Sequence, residues 1–239
     1  MKMTVLTIGF LTCALCFASC QKEELEFSSG DIEIKVTTGE NWLHDYPLFL
    51  GIKKKNPPQF AIWIEDTCGN YLSTIFATYK IATEGWQNNQ GNRRKEALPY
   101  WCYQRGVVYS DGLLLPTKEN PLDDGITGAT PTSDKTIKIS PGTLDTPFVV
   151  KAEFNHSTDF NDSYPKNADK NDDNYSGGKE GSGQPAIIYS ATISAQTEKT
   201  TLQLIGHSSP DGSDGNIYTD ISGLTSAKKI VKAITVTVK

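Results

Sequence analysis

Hydrophobic and polar residues alternate along much of the chain with the period of two that is typical of β-strands. In the first such segment, Ile32, Ile34 and Val36 alternate with Glu33 and Lys35. Alternating or β-branched runs of this kind predict eight strands, over residues 31–38, 60–65, 71–79, 135–140, 148–154, 186–194, 200–205 and 229–238. Because no long amphipathic helices lie between them, we expect a single antiparallel β-sandwich, immunoglobulin-like or related.

Turn-forming residues separate several of the predicted strands. Residues 66–70 read Asp-Thr-Cys-Gly-Asn and predict a hairpin between the second and third strands. Gly69 would supply the positive φ angle that such a turn needs. A second turn is predicted at residues 210–212, Pro-Asp-Gly, after the seventh strand.

One segment departs from the β pattern. Residues 92–105 predict one short helix with Pro99 in its first turn. We expect two of its apolar residues, Leu98 and Trp101, to pack on the sheet. Its three arginines are expected to face solvent: Arg93, Arg94 and Arg105.

Residues 155–183 are the most polar stretch, with 10 Asn or Asp in 29 positions. This composition cannot bury a core and predicts a long surface loop. Within it, four residues match positions 1, 3, 5 and 12 of an EF-hand-like calcium loop: Asp169, Asn171, Asp173 and Glu180. The glycine required at position 6 is replaced by Asn174, so we favour a solvated loop over a calcium site and assign no metal ligands.

The N-terminus has the pattern of a secretory signal, with Lys2 followed by an apolar run over residues 5–18. The next four-residue pattern, Phe-Ala-Ser-Cys ending at Cys20, resembles a bacterial lipobox. The resemblance implies that residues 1–19 are cleaved off and that Cys20 carries a lipid. Residues 20–29 would then be a tether and residues 30–239 a single domain. The alternative is an ordinary cleaved signal with an incidental cysteine.

Acidic residues follow Cys20 in the sequence Gln-Lys-Glu-Glu-Leu-Glu. They resemble surface-export signals of some Gram-negative lipoproteins, although a solvated tether explains them as well. We therefore expect a protein anchored in the bacterial envelope, at the outer membrane. The protein could lie on the periplasmic face or on the outer surface of this membrane.

Charge and composition exclude some classes of function. The formal net charge is −5, with 28 acidic against 23 basic residues, and loss of the signal makes it −6. An acidic chain is a poor match for nucleic acid, because phosphate binding needs a basic surface. After the signal, two cysteines remain, Cys68 and Cys102, and they form either a disulfide or two separate thiols.

Familiar catalytic motifs are absent from the sequence. It contains no Gly-x-Ser-x-Gly, His-Glu-x-x-His or Walker-type motif. The three histidines have no paired ligand spacing. We therefore assign no catalytic residue and place a hydrolase behind non-enzymatic functions.

Residues 124–131 read Asp-Gly-Ile-Thr-Gly-Ala-Thr-Pro and carry the most specific chemical signal. They resemble the acceptor motif Asp-x-x-(Ser/Thr)-Gly-Ala-(Ser/Thr) of covalently flavinylated bacterial envelope proteins. The resemblance implies that a periplasmic flavin transferase moves FMN from FAD onto Thr130. The other matching positions are Asp124, Thr127, Gly128 and Ala129. The alternative is an ordinary turn.

Residue types around the motif suit an acceptor. The small residues Gly128 and Ala129 would let a transferase groove approach the backbone. Prolines before and after the motif predict an extended loop rather than a buried strand. Thr130 would offer an exposed hydroxyl as the nucleophile.

A wider resemblance spans roughly residues 30–238. The chain is similar to domain-of-unknown-function family 2271, whose members carry a Trp-Ile-Glu-Asp-x-x-Gly hairpin, a Leu-Pro-x-Trp segment and an acidic Ser/Thr-Gly-Ala-Thr motif. Here these are residues 63–69, 98–101 and 124–130, in that order, and residues 148–161 resemble the family's next strand and loop. The resemblance implies a β-rich fold and association with flavin transferases and membrane electron-transfer components.

Together these signals predict a lipid-anchored electron carrier with FMN on Thr130, with a flavin transferase and membrane redox components as its partners. Five aromatic residues would either stack on the flavin ring or belong to the core: Trp63, Trp86, Tyr100, Trp101 and Tyr103. The alternative function is a non-enzymatic lipoprotein that binds glycans or an envelope partner through exposed aromatic residues and loops.

Overall fold

The computed structural model describes residues 32–47, 50, 52–85, 93–140 and 147–238. Several predictions concern residues outside these ranges and stay predictions: the signal peptide, the lipid on Cys20, the tether and the role of Trp86. Among the residues that are described, no helix is long and apolar enough to cross a bilayer.

The described chain is built mostly of strands. They are β1 (Ile32–Thr38), β2 (His44–Pro47), β3 (Lys53–Asn56), β4 (Gln59–Glu65), β5 (Tyr71–Thr78), β6 (Ile126–Gly128), β7 (Lys135–Ile139), β8 (Phe148–Asn155), β9 (Ile187–Ile193), β10 (Lys199–Thr201), β11 (Gln203–His207) and β12 (Val231–Val238). Two short helices, α1 (Tyr79–Ala82) and α2 (Pro99–Arg105), lie between β5 and β6.

The strands form two large sheets and one hairpin. A four-stranded sheet has the order β10-β12-β1-β7, and a six-stranded sheet has the order β11-β9-β8-β4-β5-β6. Neighbouring strands are antiparallel except for the parallel pair β5 and β6. The two sheets bury one apolar core, which includes Ile34, Val36, Ile137, Ile234, Phe60, Ile62, Ile64, Val150 and Phe154. The predicted all-β sandwich is thereby confirmed.

The six-stranded sheet is buried on both faces. Helices α1 and α2 and the loops around them form a second apolar cluster, which includes Ala61, Trp63, Ile81, Leu98, Trp101, Leu115 and Leu122. All seven residues of β4 are consequently buried, because alternate side chains enter the two clusters. We call the side toward the four-stranded sheet the sandwich face and the side toward α2 the helix face.

Each of the eight predicted strands is present, with one difference in the seventh. The chain leaves the four-stranded sheet after β10 and joins the six-stranded sheet as β11. Leu202, buried between them, is the point at which the chain changes sheets. Four short elements were not predicted: β2, β3, β6 and α1. They have three or four residues each and too few apolar positions for a periodic pattern.

The predicted hairpin turn at residues 66–70 is confirmed. It joins the antiparallel strands β4 and β5, and Gly69 has a φ angle of 87°. The Asp66 carboxylate accepts hydrogen bonds from the backbone N–H groups of Cys68 and Asn70, both at 2.8 Å. These bonds fix the turn from within.

The predicted short helix is confirmed as α2, with Pro99 at its first turn and Leu98 and Trp101 buried. The expectation that its three arginines face solvent was wrong. Arg94 pairs with Glu96 at 3.0 Å, and Arg93 pairs with Asp111 in the loop after α2. Each guanidinium is buried because a carboxylate lies beside it, which a composition pattern does not reveal.

Residues 155–183 form a long loop between β8 and β9, as predicted, but several of its polar residues are buried. Asp159 accepts hydrogen bonds from the Ser226 hydroxyl at 2.6 and 2.7 Å. Arg94 donates to Ser182 at 2.9 Å. The loop is therefore fastened to the domain by internal hydrogen bonds, so its base is not simply solvated.

Candidate functional site

The motif at residues 124–130 lies on one edge of the six-stranded sheet. Its central residues form β6, which pairs in parallel with β5 so that Phe76 lies opposite Ile126 and Thr78 lies opposite Gly128. The expected extended loop is thus partly a strand. The helices between β5 and β6 supply the crossover that a parallel pair requires. Within the described residues β6 is the last strand of its sheet and pairs through one side only.

Glycines allow β6 to lie close against β5. A Cβ atom on Gly125 would lie 2.8 Å from Thr74, and one on Gly128 would lie 3.1 Å from the Phe76 ring. The close packing of the two strands therefore needs small residues at both positions. Ala129 and Thr127, in contrast, are exposed and face away from this contact.

At the first end of the motif, Asp124 is held in a polar contact that is mostly buried. The Tyr71 hydroxyl donates a hydrogen bond to its carboxylate, and the Arg105 guanidinium lies 3.6 Å from it. Arg105 also stacks over the Trp101 ring, with 5.1 Å from its central carbon to the ring centroid. Asp124 thus ties the start of β6 to both β5 and α2.

Charge and burial shift the pKa values of both Asp124 partners. Burial, reinforced by the Asp124 charge, raises the pKa of Tyr71 well above its usual range, so this hydroxyl keeps its proton. Burial alone would lower the pKa of Arg105, but Asp124 and Tyr109 outweigh it and raise that pKa. The contact therefore joins a permanent cation, a carboxylate and a neutral hydroxyl.

At the other end of the motif, Thr130 is half-buried and follows the strand by two residues. Its Oγ1 accepts a hydrogen bond from the buried Gln59 amide at 3.2 Å. Gln59 in turn accepts a bond from the Thr78 hydroxyl at 2.8 Å. The next peptide is fixed as well, because the Trp42 indole donates to the carbonyl of Pro131 at 3.0 Å.

Thr130 is the hydroxyl of the motif that Gln59 holds in place. A hydroxyl that accepts one hydrogen bond still carries its own proton for another acceptor. Its oxygen is held in place by Gln59, the buried first residue of β4 in the same sheet. Thr130 can therefore act as a positioned alcohol nucleophile, whereas Asp124 acts as an anchor.

A cleft of about 840 Å³ opens at the Asp124 end of the motif. Its walls combine apolar and polar side chains, including Leu72, Val107, Val108, Tyr109 and Glu119. Thr130 is not one of its lining residues, because five residues, three of them in β6, separate it from Asp124. Thr130 thus offers a hydroxyl to which FMN could be attached, and the cleft itself lies at the other end of the motif.

Four of the five aromatic residues named as possible flavin contacts are described, and they have other roles. Trp63, Tyr100 and Trp101 are buried in the helix-face cluster, so they belong to the core. Tyr103 is partly exposed, but its hydroxyl donates to the Ser213 carbonyl at 2.7 Å and holds a different loop.

A further group of charges is buried on the helix face near the centre of the sheet. Lys151 and Glu65 form an ion pair at 2.7 Å, and the Trp63 indole donates to the same carboxylate at 2.7 Å. Glu153 accepts bonds from the backbone N–H groups of Tyr100 and Trp101, at 3.3 and 2.8 Å, where α2 begins. Burial raises the pKa of Glu153 to about 8, although these bonds partly oppose it.

The two cysteines of the predicted domain are both within the described residues. Cys68 is exposed in the hairpin turn and Cys102 is buried in α2, and both are free thiols. Burial raises the pKa of Cys102 far above its usual range, so this thiol is inert. No group of three His, Cys, Asp or Glu side chains in the described part of the chain could hold a metal ion.

Three residues that shape the motif were not identified from the sequence. Tyr71 and Arg105 anchor Asp124, and Gln59 positions Thr130. All three belong to elements that were predicted, but their partners lie between 19 and 71 positions away. A single sequence gives no signal for contacts at that separation.

No family model, curated protein or solved structure matches this chain.

Proposed function

We propose that this protein is a lipid-anchored flavoprotein of the bacterial envelope that carries FMN covalently on Thr130 and transfers electrons. A lipid on Cys20 would hold it at the outer membrane. A flavin transferase would load it, and membrane redox components would exchange electrons with it. The protein itself would act as a carrier and not as an enzyme.

One observation carries the proposal. The segment that resembles a flavin-acceptor motif lies on the edge strand of a sheet and ends at a half-exposed threonine. An edge strand is a surface on which another protein can add a strand. A transferase could therefore bind β6 along its unpaired side and reach Thr130 without unfolding the domain.

Attachment requires one substitution at phosphorus. A bond forms between Oγ1 of Thr130 and the phosphorus of the FMN part of FAD, while the bond from that phosphorus to the AMP oxygen breaks. AMP leaves with the electron pair, and the proton of Thr130 passes to a base on the transferase. A metal ion of the transferase would neutralise the pyrophosphate charge.

The chain's own residues would contribute position. Gln59 holds the Thr130 oxygen, and the contact of Asp124 with Arg105 fixes the far end of β6. Attached FMN would supply the redox chemistry. Because Thr130 is only half-buried, the attached ring would lie near the surface, where a redox partner can approach it.

Fluorescence on a denaturing gel tests this proposal. The full chain is produced together with an active flavin transferase, and its band is viewed under ultraviolet light. We expect a fluorescent wild-type band, a dark Thr130→Ala band and a fluorescent Thr132→Ala band. Thr132 is the matched control because it is an exposed threonine just outside the motif.

Two results would overturn the flavin assignment. One is a dark wild-type band when the same transferase labels another acceptor protein in the same cells. The other is equal fluorescence of wild type and Thr130→Ala. Loss of the protein from the membrane fraction in Cys20→Ala tests the lipid anchor separately.

A further inference from the structure

A second cleft, of about 920 Å³, lies between two loops that the flavin proposal does not use. One wall comes from the Asn/Asp-rich loop, with Tyr164 and Lys170–Asp173, and the other comes from residues 207–220. Its volume is in the range of small-molecule sites, roughly 300–1,000 Å³. It shares no residue with the cleft at Asp124.

Aromatic rings form the floor of this second cleft. The rings of His207 and Tyr218 are stacked, with centroids 5.4 Å apart and planes inclined by 12°. Tyr164 meets the His207 ring edge-on at 6.4 Å. His207 is buried, whereas Tyr218 is 40% exposed, so the outermost ring of the stack is open to solvent.

The exposed Tyr218 ring is held rigidly. Its backbone exchanges two hydrogen bonds with His207, at 2.8 and 2.9 Å. Its hydroxyl donates to Asp214 at 2.8 Å. The ring beneath it is fixed in the same way, because Nδ1 of His207 lies 2.7 Å from the Ser208 carbonyl. A ligand that stacks on Tyr218 would therefore bind with little loss of conformational entropy in this side chain.

Polar groups of both kinds surround the aromatic floor. Lys170 and Asn171 offer hydrogen-bond donors, while four carboxylates offer acceptors: Asp172, Asp173, Asp211 and Asp220. A simple cation would use the acceptors alone, and a phosphate would be repelled by the carboxylates. A sugar matches the whole set, because its ring has an apolar C–H face and hydroxyl groups that both donate and accept.

We propose that the cleft between Tyr164 and Tyr218 binds a carbohydrate, with the exposed ring of Tyr218 as its stacking platform. The donors and acceptors of the two loops would bind the hydroxyl groups at the rim of the sugar. Such a site would let an envelope protein attach to a glycan. It stands on residues separate from Thr130 and does not depend on flavin attachment.

Binding to immobilised oligosaccharides tests the proposal. The full chain, purified in detergent, is applied to an array of gluco-, xylo-, manno- and galacto-oligosaccharides, and the affinity for each retained sugar is measured. We expect Tyr218→Ala to weaken binding at least about tenfold, and Tyr218→Phe to keep most of it because the ring remains. Tyr79→Ala is the matched control, an exposed tyrosine outside the cleft.

A second variant covers the case in which Tyr218→Ala does not fold. Asn171→Ala changes only an exposed loop side chain and should also weaken binding. Thr130→Ala should bind sugar like wild type, which separates this site from the flavin proposal. Spermine, a flexible polycation, is tested on the same protein because the carboxylates of the cleft could bind a cation instead. The proposal is overturned if wild type binds no oligosaccharide, or if it binds spermine and no sugar. It is also overturned if Tyr218→Ala and Asn171→Ala both bind sugar as tightly as wild type does.

Discussion

The two faces of the six-stranded sheet are buried to a similar degree but are built differently. The sandwich face is purely apolar along β4 and β8, with Phe60 and Phe154 stacked at 4.8 Å. The helix face buries Glu65, Lys151 and Glu153 among aromatic residues. The same two strands supply both faces, because alternate residues point to opposite sides.

The difference shows what each face contributes. Apolar packing is non-directional and needs only side chains of suitable size. Buried charges need partners at defined positions, so they fix one arrangement of α2 and the loops against the sheet. Arg105, which ends α2, is part of this arrangement and holds Asp124 at the start of the motif. The polar face thus positions the candidate site, while the apolar face stabilises the domain.

The largest expected effect is on the sandwich face. Phe154→Ala removes a buried ring that contacts Phe60 and Tyr189 and leaves a cavity. We expect the free energy of unfolding to fall by about 4 kcal/mol, by the same amount in acidic and alkaline buffer. Urea denaturation measures it. Leu72→Ala, at an exposed apolar position of β5, is the control and should change little; a loss below about 1 kcal/mol for Phe154→Ala contradicts this account.

On the helix face, Lys151→Met should lower the free energy of unfolding by about 3 kcal/mol, because it leaves the Glu65 charge buried without its partner. The double variant Glu65→Gln with Lys151→Met should recover most of the loss. Glutamine removes the charge and can still accept the Trp63 hydrogen bond. A double variant as unstable as the single one would show that packing, rather than the unpaired charge, is responsible.

Glu153 should make stability depend on pH. Its pKa is about 8 in the folded protein against 4.5 as the ordinary value, so folding takes up a proton between these pH values. Its contribution is fully present below about pH 4.5 and is lost as the pH rises through about 8. Glu153→Gln should remove this slope.

Urea denaturation of wild type and Glu153→Gln across that pH range measures the effect. Their difference is needed because His156, whose pKa burial lowers to about 3, gives both proteins a slope of opposite sign up to about pH 6.5. The stability advantage of wild type over the variant should shrink as the pH rises. If the difference in stability between wild type and Glu153→Gln stayed constant with pH, the pKa of Glu153 would be the same in both states. Glu153 would then be charged in the folded protein, which contradicts this prediction.

The smallest expected effect on stability is at the motif itself. Thr130→Ala removes one hydrogen bond, that from Gln59, and should cost about 1 kcal/mol. The melting temperature should therefore change little, although the variant can no longer accept FMN. A severely destabilised Thr130→Ala would mean that Thr130 is a structural residue of the sheet edge.

The same contrast explains how far the sequence could predict the structure. The strands of the sandwich were predictable because a face that is only apolar leaves a direct alternation, as at Ile32, Ile34 and Val36. Seven buried residues in β4 leave no such alternation, yet its β-branched and aromatic residues still indicated a strand. The three residues of β6 were too few for any pattern.

The candidate site was predictable as a segment but not as a geometry. Residue types alone drew attention to residues 124–130. They could not show that Asp124 is mostly buried, because its partners Tyr71 and Arg105 come from other elements. The three arginines of residues 92–105 were misplaced for the same reason, since a buried charge is recognisable only once its partner is located.

Intact-mass measurement tests the central claim most directly. The claim is that Thr130, two residues beyond an edge strand held in place by buried charges, is the flavin acceptor. The full chain is produced with an active flavin transferase and then digested to locate any modification. The account predicts a gain of one FMN less one water, on the peptide that contains Thr130, and no gain in Thr130→Ala. An unmodified wild-type chain, or FMN on any other residue, would contradict it.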